Sequence, residues 1–292
     1  MSNIQVLALN NSRTQETQWT RAAGRVTERR GRGGAMGREF KDIQFELRDG
    51  VGRIVLNRPP VNVLNIAMME EIQAALRQAQ AAPATRAVVF SAAGRMFSAG
   101  VDIAEHTHHL MERMLTAFHD IFRLMADGEI PTVAVVQGHA LGGGCELACF
   151  CDLILAAQGV KFGQPEIAVG VFPPVAAALF PHLIGGRKAA ELILTGEAIP
   201  AEEAHRIGLI NAVVAADRLV AETDRLLGRL TDKSAAVLRM AKRALRAGMA
   251  AGFDEALPRI ETIYAKALMS LEDPEEGLKA FMEKRKPVWK HR

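Results

Sequence analysis

Residues 138–150 read GHALGGGCELACF: three consecutive glycines, Gly142 to Gly144, run into Cys145 and a carboxylate, Glu146. Apolar sequence lies on both sides, PTVAVV at 131–136 and CDLILAA at 151–157. Glycine weakens helix and strand alike, and a carboxylate is costly in an apolar interior. The combination fits a junction at which a buried strand turns into a helix and another molecule comes close to bare backbone. A helix starting there presents free N–H groups and the positive end of its dipole. Negative charge, resident or developing, is stabilised at such a place. A phosphate loop would need Lys-Ser or Lys-Thr after the glycines, and none follows. A dinucleotide fingerprint would need glycine where Leu147 stands. An oxyanion hole is the remaining use of the device.

Outward from this stretch the chain reads as α/β. IQFELRDGVGRIVLN (43–57) alternates as two strands about the turn Asp49-Gly50. Ile66, Met69, Ile72 and Leu76 recur near helical spacing in NIAMMEEIQAALRQAQAA (65–82), with Pro83 beyond its end. RAVVFSAAG (86–94) predicts a buried strand. AEHTHHLMERMLTAFHDIFRLMADG (104–128) predicts one long amphipathic helix ending at Gly128, which would set His106 and His109 on one face. PTVAVV is another buried strand, and CDLILAAQGVKFG (151–163) a strand and a turn. Strand and helix alternating in this way predict parallel β-structure with helices outside. After residue 186 the segments are helical, and the last, PEEGLKAFMEKRKPVWKHR (274–292), predicts a closing basic helix. The expected division is a basic tail or start artefact at 1–38, an α/β core at 39–229 and a helical C-terminal region at 230–292.

Bulk properties narrow the function classes. The chain has 292 residues, is 49% hydrophobic and carries a net charge of +3, too little to point to a nucleic-acid partner. Its longest apolar run, near ACFCDLILAA, is broken by Asp152 and falls short of the roughly 18 residues that span a bilayer. Three cysteines, at 145, 149 and 151, suit small buried apolar roles in a reducing cytoplasm and match no zinc spacing. The Arg- and Gly-rich start has no apolar stretch of a secretory signal. Its ERRGRGG is the sole support for a non-catalytic, RNA-binding alternative.

A second carboxylate, Glu166, lies in KFGQPEIAVG (161–170), where Pro165 predicts extended backbone. The strand LILAA leads from the Glu146 helix to it, so both acids can reach one site, suited to general acid and general base work. GRMFSAGVDI (94–103) also follows a buried strand and offers a second backbone amide near Val101. With Gly143 that makes a two-donor hole.

GRMFSAGVDI, GHALGGGCELACFCDL and FGQPEIAVG, in this order, resemble the enoyl-CoA hydratase/isomerase (crotonase) family. LILTGEAIPAEEAHRIGLINAVV and EGLKAFMEKRKPVW are similar to that family's downstream segments, so the resemblance runs over residues 40 to 290. It implies a spiral of ββα units with a helical C-terminal trimerisation part, and a homotrimer or dimer of trimers. It implies an acyl-CoA thioester substrate, with no metal and no cofactor beyond the coenzyme A that the substrate carries. The matching oxyanion amides are Val101 and Gly143. Both glutamates of the hydratases are present, as Glu146 and Glu166, whereas isomerases often keep only the second. By the resemblance Glu146 positions and deprotonates water for attack at Cβ, and Glu166 is the acid at Cα. Substrate contacts are expected from Arg58, Val61, Val63, Arg95, Ala99, Gly142 and Pro174.

The chain departs from the family pattern at VFPPVAAALFP (171–181), where most hydratases have a glycine-rich turn, and this should reshape the acyl pocket. Ala104 replaces a basic residue often found three positions past the first oxyanion amide, leaving Arg58 or Arg95 to meet CoA phosphates. VDIAEH, GVFPPVAA and EGLKAFMEKRKPVW look most like cyclic dienoyl-CoA hydratases, which add water to cyclohexadiene-carbonyl-CoA. Isomerisation, or hydrolysis of the thioester or of a ring, are the alternatives on the same scaffold.

Overall fold

The structure is a computed structural model and describes residues 40–292. The expected basic tail at 1–38 lies outside the described residues. β1 (Ile43–Arg48) and β2 (Val51–Leu56) form the hairpin read from the sequence. Its turn residues Asp49 and Gly50 both take positive φ, 52° and 75°, as a tight two-residue hairpin turn requires. α1 (Ile66–Ala81) starts where the Asn65 side chain accepts the Met68 N–H at 2.9 Å.

The next stretch repeats one pattern three times. A strand enters a large sheet, a three-residue strand enters a small one, and a helix or helical turn follows. The first round is β3 (Ala87–Ala92), β4 (Met96–Ser98) and α2 (Met111–Asp127). The second is β5 (Thr132–Val136), β6 (His139–Leu141) and α3 (Gly143–Cys149). The third is β7 (Leu153–Ala157), β8 (Lys161–Gly163) and a 3-10 turn, Pro165–Val169. Then come α4 (Pro174–Ile184), α5 (Gly186–Thr195), β9 (Ile199–Pro200), α6 (Ala201–Arg206), β10 (Ala212–Val214) and α7 (Leu219–Thr231). α8 (Ala235–Met249), α9 (Phe253–Thr262) with its π-helical continuation Ile263–Leu268, and α10 (Glu272–Met282) end the chain.

The large sheet has the order β1-β2-β3-β5-β7-β10, parallel except for β1. The small sheet has the order β4-β6-β8-β9, with β4, β6 and β8 parallel. This is the expected spiral of strand-strand-helix units. α1 and α2 pack against each other, and Gln73 and Gln80 of α1 donate to the Ala117 and Leu124 carbonyls of α2 at 2.8 and 2.7 Å. The core between helices and large sheet is filled by Ile54, Leu56, Phe90, Ile72 and Ile121, all closed to solvent.

Three local expectations need correction. The long helix does not start at Ala104. Asp102 caps a 3-10 turn (Ile103–Glu105) by accepting the Ala104 N–H at 3.1 Å, and Glu105 accepts the Ile66 N–H at 2.7 Å, at the start of α1. Acidic side chains that bond backbone groups in this way compete with helix formation, so α2 begins only at Met111 and His106 and His109 share no helix face. Pro165 does not sustain extended backbone but opens a 3-10 turn, its fixed φ suiting the first helical position. The closing helix stops at Met282, and the tail folds back: Asp273 accepts the N–H groups of Lys290 and His291 at 2.7 and 2.9 Å, and Trp289 Nε1 donates to the Asp232 carbonyl at 2.9 Å.

Candidate active site

The short strands decide where the chemistry lies. β4, β6 and β8 are neighbours running in one direction, so their carboxyl ends sit side by side. Ala99-Gly100-Val101 leaves the first, Gly142-Gly143 the second, and Gln164-Pro165-Glu166 the third. The Gly142 N–H donates to the Gly163 carbonyl at 2.9 Å and locks the second loop to the third. An isolated parallel bridge ties Val101 to Leu64. There the Leu64 N–H bonds the Gly100 carbonyl at 2.9 Å and the Asp102 N–H bonds the Leu64 carbonyl at 3.0 Å. In such a bridge the central residue's own N–H faces away from the partner, so the Val101 amide is left free of Leu64.

Gly143 begins α3, and its N–H has no acceptor within the helix. A side chain at this position would meet Val101 Cγ2 at 2.7 Å and Phe118 Cζ at 2.9 Å. Only bare backbone fits between the loops. Gly142 before it takes φ +52°, and a Cβ there would stand 2.7 Å from Glu166 Oε1. The glycine run is thus where two loops and a carboxylate converge.

Glu146, one turn into α3, is 2% exposed. Its Oε1 accepts the Ala176 N–H at 2.7 Å, in the first turn of α4. Pro173 and Pro174 open that helix with no N–H of their own, so the free amides of its N-terminus begin at Val175 and Ala176. The unusual VFPPVAA segment therefore supplies the partner that orients Glu146. Those amides and the helix dipole favour the anion, yet burial dominates and pushes the carboxyl up to about 8, with the nearby Glu166 charge adding to the rise. Glu166 is raised by burial to about 7. The fully buried Gln164, with its amide nitrogen turned toward Glu166, donates to both carboxylate oxygens at 3.2 and 3.3 Å.

Val101, Gly143, Glu146 and Glu166 line one cavity of about 360 Å³, together with Ala99, Gly142 and Pro174. Its walls are apolar, including Met114, Leu115 and Phe118 of α2. Ile103, Met111 and Phe172 at its edge are 49, 46 and 62% exposed, an uncovered apolar rim of the kind that marks ligand sites. His106 also lines the cavity, through the turn before α2. The other expected contacts lie elsewhere. Arg58 donates to the Val63 carbonyl at 3.0 Å and pairs with Asp102 at 3.4 Å and Asp42 at 4.0 Å, so its charge is already met. Val61 holds the Ala99 loop, its carbonyl accepting the Ala99 N–H at 2.9 Å. Arg95 is exposed and outside this cavity. A larger cleft of about 950 Å³, beside β7, β10 and α7, contains neither glutamate.

Gln164 and His119 escaped the sequence reading. Gln164 reads as a loop residue until its burial is known, and His119, which also lines the cavity, sits one place from Phe118 in a helix whose pattern is that of core packing. The three cysteines are free and buried, as expected, and among the described residues no cluster of three His, Cys, Asp or Glu could hold a metal ion.

Comparison with known proteins agrees with this architecture. Residues 46–292 match the family described as enoyl-CoA hydratase/isomerase. The cyclohexa-1,5-dienecarbonyl-CoA hydratase of Thauera aromatica is 39% identical over 246 residues, covering 84% of this chain and 95% of the relative. The crotonyl-CoA hydratase of Syntrophomonas wolfei is 36% identical, covering 85% and 97%. An enoyl-CoA hydratase crystal structure from Geobacillus kaustophilus superposes with a TM-score of 0.80 at 36% identity, covering 87% of this chain and all of that one. With its spiral of strand-strand-helix units and its matched length, the chain belongs to the enoyl-CoA hydratase/isomerase family.

Proposed function

We propose that the protein is an enoyl-CoA hydratase, a hydro-lyase, in which Val101, Gly143, Glu146 and Glu166 act on a 2-enoyl-CoA thioester. The observation that carries this reading is the meeting of two glutamates, each raised toward neutrality, in one apolar cavity beside two backbone segments with free amides. The Val101 and Gly143 amides hold the thioester oxygen, where negative charge grows as water adds to Cβ. One such donor is worth roughly 3–4 kcal/mol of transition-state stabilisation. One glutamate takes a proton from water while the other delivers one to Cα, and the hydroxyl ends on Cβ. The resemblance assigns the base to Glu146 and the acid to Glu166. The reaction uses no cofactor beyond the coenzyme A on the substrate, and no metal.

A cyclic dienoyl-CoA is the preferred acyl group, supported by the likeness to the Thauera aromatica enzyme and by the VFPPVAA segment that both walls the cavity and orients Glu146. The protein is read as a homotrimer or dimer of trimers. Phe253, Phe281, Met282 and Val288 of the C-terminal region are each more than 70% exposed, an apolar surface that association would cover. The location is read as cytoplasmic, a reading that the free buried cysteines support.

The test is turnover of linear crotonyl-type and cyclic dienoyl-CoA thioesters with product analysis. Hydroxyacyl-CoA with the thioester intact is the expected product. Release of free CoA would replace hydration by hydrolysis, and a double-bond shift without oxygen gain would replace it by isomerisation. Turnover of linear substrates alone would remove the cyclic preference.

A further inference from the structure

Ser98 closes β4, the short strand that hands the chain to the Ala99-Gly100-Val101 loop. It is fully buried, and its hydroxyl makes one bond of each kind. Oγ donates to the Asn62 carbonyl at 2.8 Å and accepts the Gly100 N–H at 3.1 Å. Asn62, itself 2% exposed, is the anchor behind it. Its Oδ1 accepts the Arg58 N–H at 2.9 Å, and its Nδ2 donates to the Ala93 and Met96 carbonyls at 2.8 and 2.9 Å, across the turn between β3 and β4. These bonds hold Asn62 at a φ of 52°, in the left-handed region that asparagine tolerates better than most residues. Gly100, the residue before Val101, takes φ +101°, and a Cβ on it would stand 3.4 Å from the Gly143 nitrogen. On its other side Ser98 abuts α3, where a Cβ on Gly144 would stand 2.5 Å from Ser98 Cβ and 2.7 Å from its Oγ. One small side chain thus touches both segments that carry the oxyanion amides. It bonds the first through Gly100 and bears on the second through Gly144.

We propose that Ser98 is a positioning residue that fixes the separation of the Val101 and Gly143 amides. It does not line the cavity and acts only through its two glycine neighbours. Without the hydroxyl the buried Gly100 N–H loses its acceptor and the Asn62 carbonyl a donor. The loop is then free to turn the Val101 amide away from the oxygen it serves. Two donors make one hole only when both lie about 2.7–3.1 Å from the same oxygen, and a misplacement of roughly 1 Å is enough to slow the reaction. The proposal rests on the hydratase reading above.

The experiment compares Ser98→Ala, Ser98→Cys and Thr223→Val with the unaltered protein. Thr223 is also buried, but its hydroxyl donates to the Leu219 carbonyl within α7, away from the cavity. Thr223→Val therefore removes a buried hydroxyl without touching either loop. Three quantities are read: kcat on the best enoyl-CoA, calorimetric affinity for butanoyl-CoA, and the infrared band of the isotope-labelled thioester carbonyl of bound butanoyl-CoA. That band moves to lower frequency as donors polarise the oxygen. Ser98→Ala should lower kcat at least about fivefold, leave butanoyl-CoA affinity within about twofold, and return the bound band part of the way to its position in water. Ser98→Cys, which keeps a weaker donor and acceptor, should fall between. Thr223→Val should leave kcat and the band unmoved. A band unmoved by Ser98→Ala, or kcat within about twofold of the unaltered protein, would overturn the proposal. Equal losses of kcat in Ser98→Ala and Thr223→Val would overturn it too, by making the effect one of stability. If Ser98→Ala does not fold, the same comparisons are made on Ser98→Cys. Absence of turnover in the unaltered protein would instead overturn the hydratase reading, and the band, which needs no turnover, would still decide for or against Ser98.

Discussion

At Glu146 two opposing effects meet, and their sizes decide the chemistry. An amide bond from Ala176 and the positive end of α4 both favour a charged carboxylate, but nearly complete burial outweighs them. Glu166, less enclosed, is raised less. Two carboxyls this close titrate as a pair. Below about pH 7 both hold protons and no base is present; above about pH 8 both are ionised and no acid is present. On the proposed mechanism the rate needs the singly protonated pair, so kcat/KM should be bell-shaped, with limbs near 7 and 8. A profile flat from about pH 5 to about pH 10 would show that these groups are not the acid and base. Burial raises Glu146 further than Glu166, the reverse of the order the resemblance implies for base and acid. Both glutamates were legible in the sequence because each follows a glycine or Gln-Pro turn at the end of an apolar strand. Gln164 and His119 were not, since what sets them apart is burial and, in His119, an Nε2 without a hydrogen-bond partner, which spacing does not encode.

Among the elements, α8 is tied to the strands through the buried Lys242. Lys242 donates to Asp152 at 2.7 Å and to the Ile130 carbonyl at 2.9 Å, and the same Asp152 oxygen accepts from Thr132 N–H and Oγ1 at 2.6 and 2.7 Å. Asp152 precedes β7 and Thr132 opens β5, so the pin joins the helical region to the strands whose ends lead to the site. Lys242→Ala leaves the carboxylate without its cation. With Asp152 about one-third exposed, the loss should be about 2–3 kcal/mol, below that of a fully enclosed pair. Denaturant unfolding checks this, and a midpoint within error of the unaltered protein would show that the pin carries no stability. The strong helices and the β1–β2 hairpin were legible because their periods run over enough residues to register. The three-residue strands β4, β6 and β8 were invisible for the opposite reason. The early start expected for α2 failed because Asp102 and Glu105 bond backbone amides rather than extend the helix.

For the whole molecule, the spiral is what turns three separated motifs into one site. Each turn places a long strand in the large sheet and a short one in the small sheet, so stretches some twenty to forty residues apart in the chain end at a common edge. Strand and helix alternation announced the α/β class, but not the second sheet that aligns the loops. The helical region from α7 onward contributes no lining residue to the cavity of Glu146 and Glu166, and it carries the exposed apolar side chains Phe253, Phe281, Met282 and Val288. The central claim, that the two carboxyls brought together by this spiral perform hydration, is tested most directly by turnover of Glu146→Gln and Glu166→Gln on the best thioester, with calorimetric binding of a saturated acyl-CoA measured alongside. Each variant should lose at least about 10²-fold in kcat while thioester affinity stays within a few-fold. Unimpaired turnover in both variants would contradict the account.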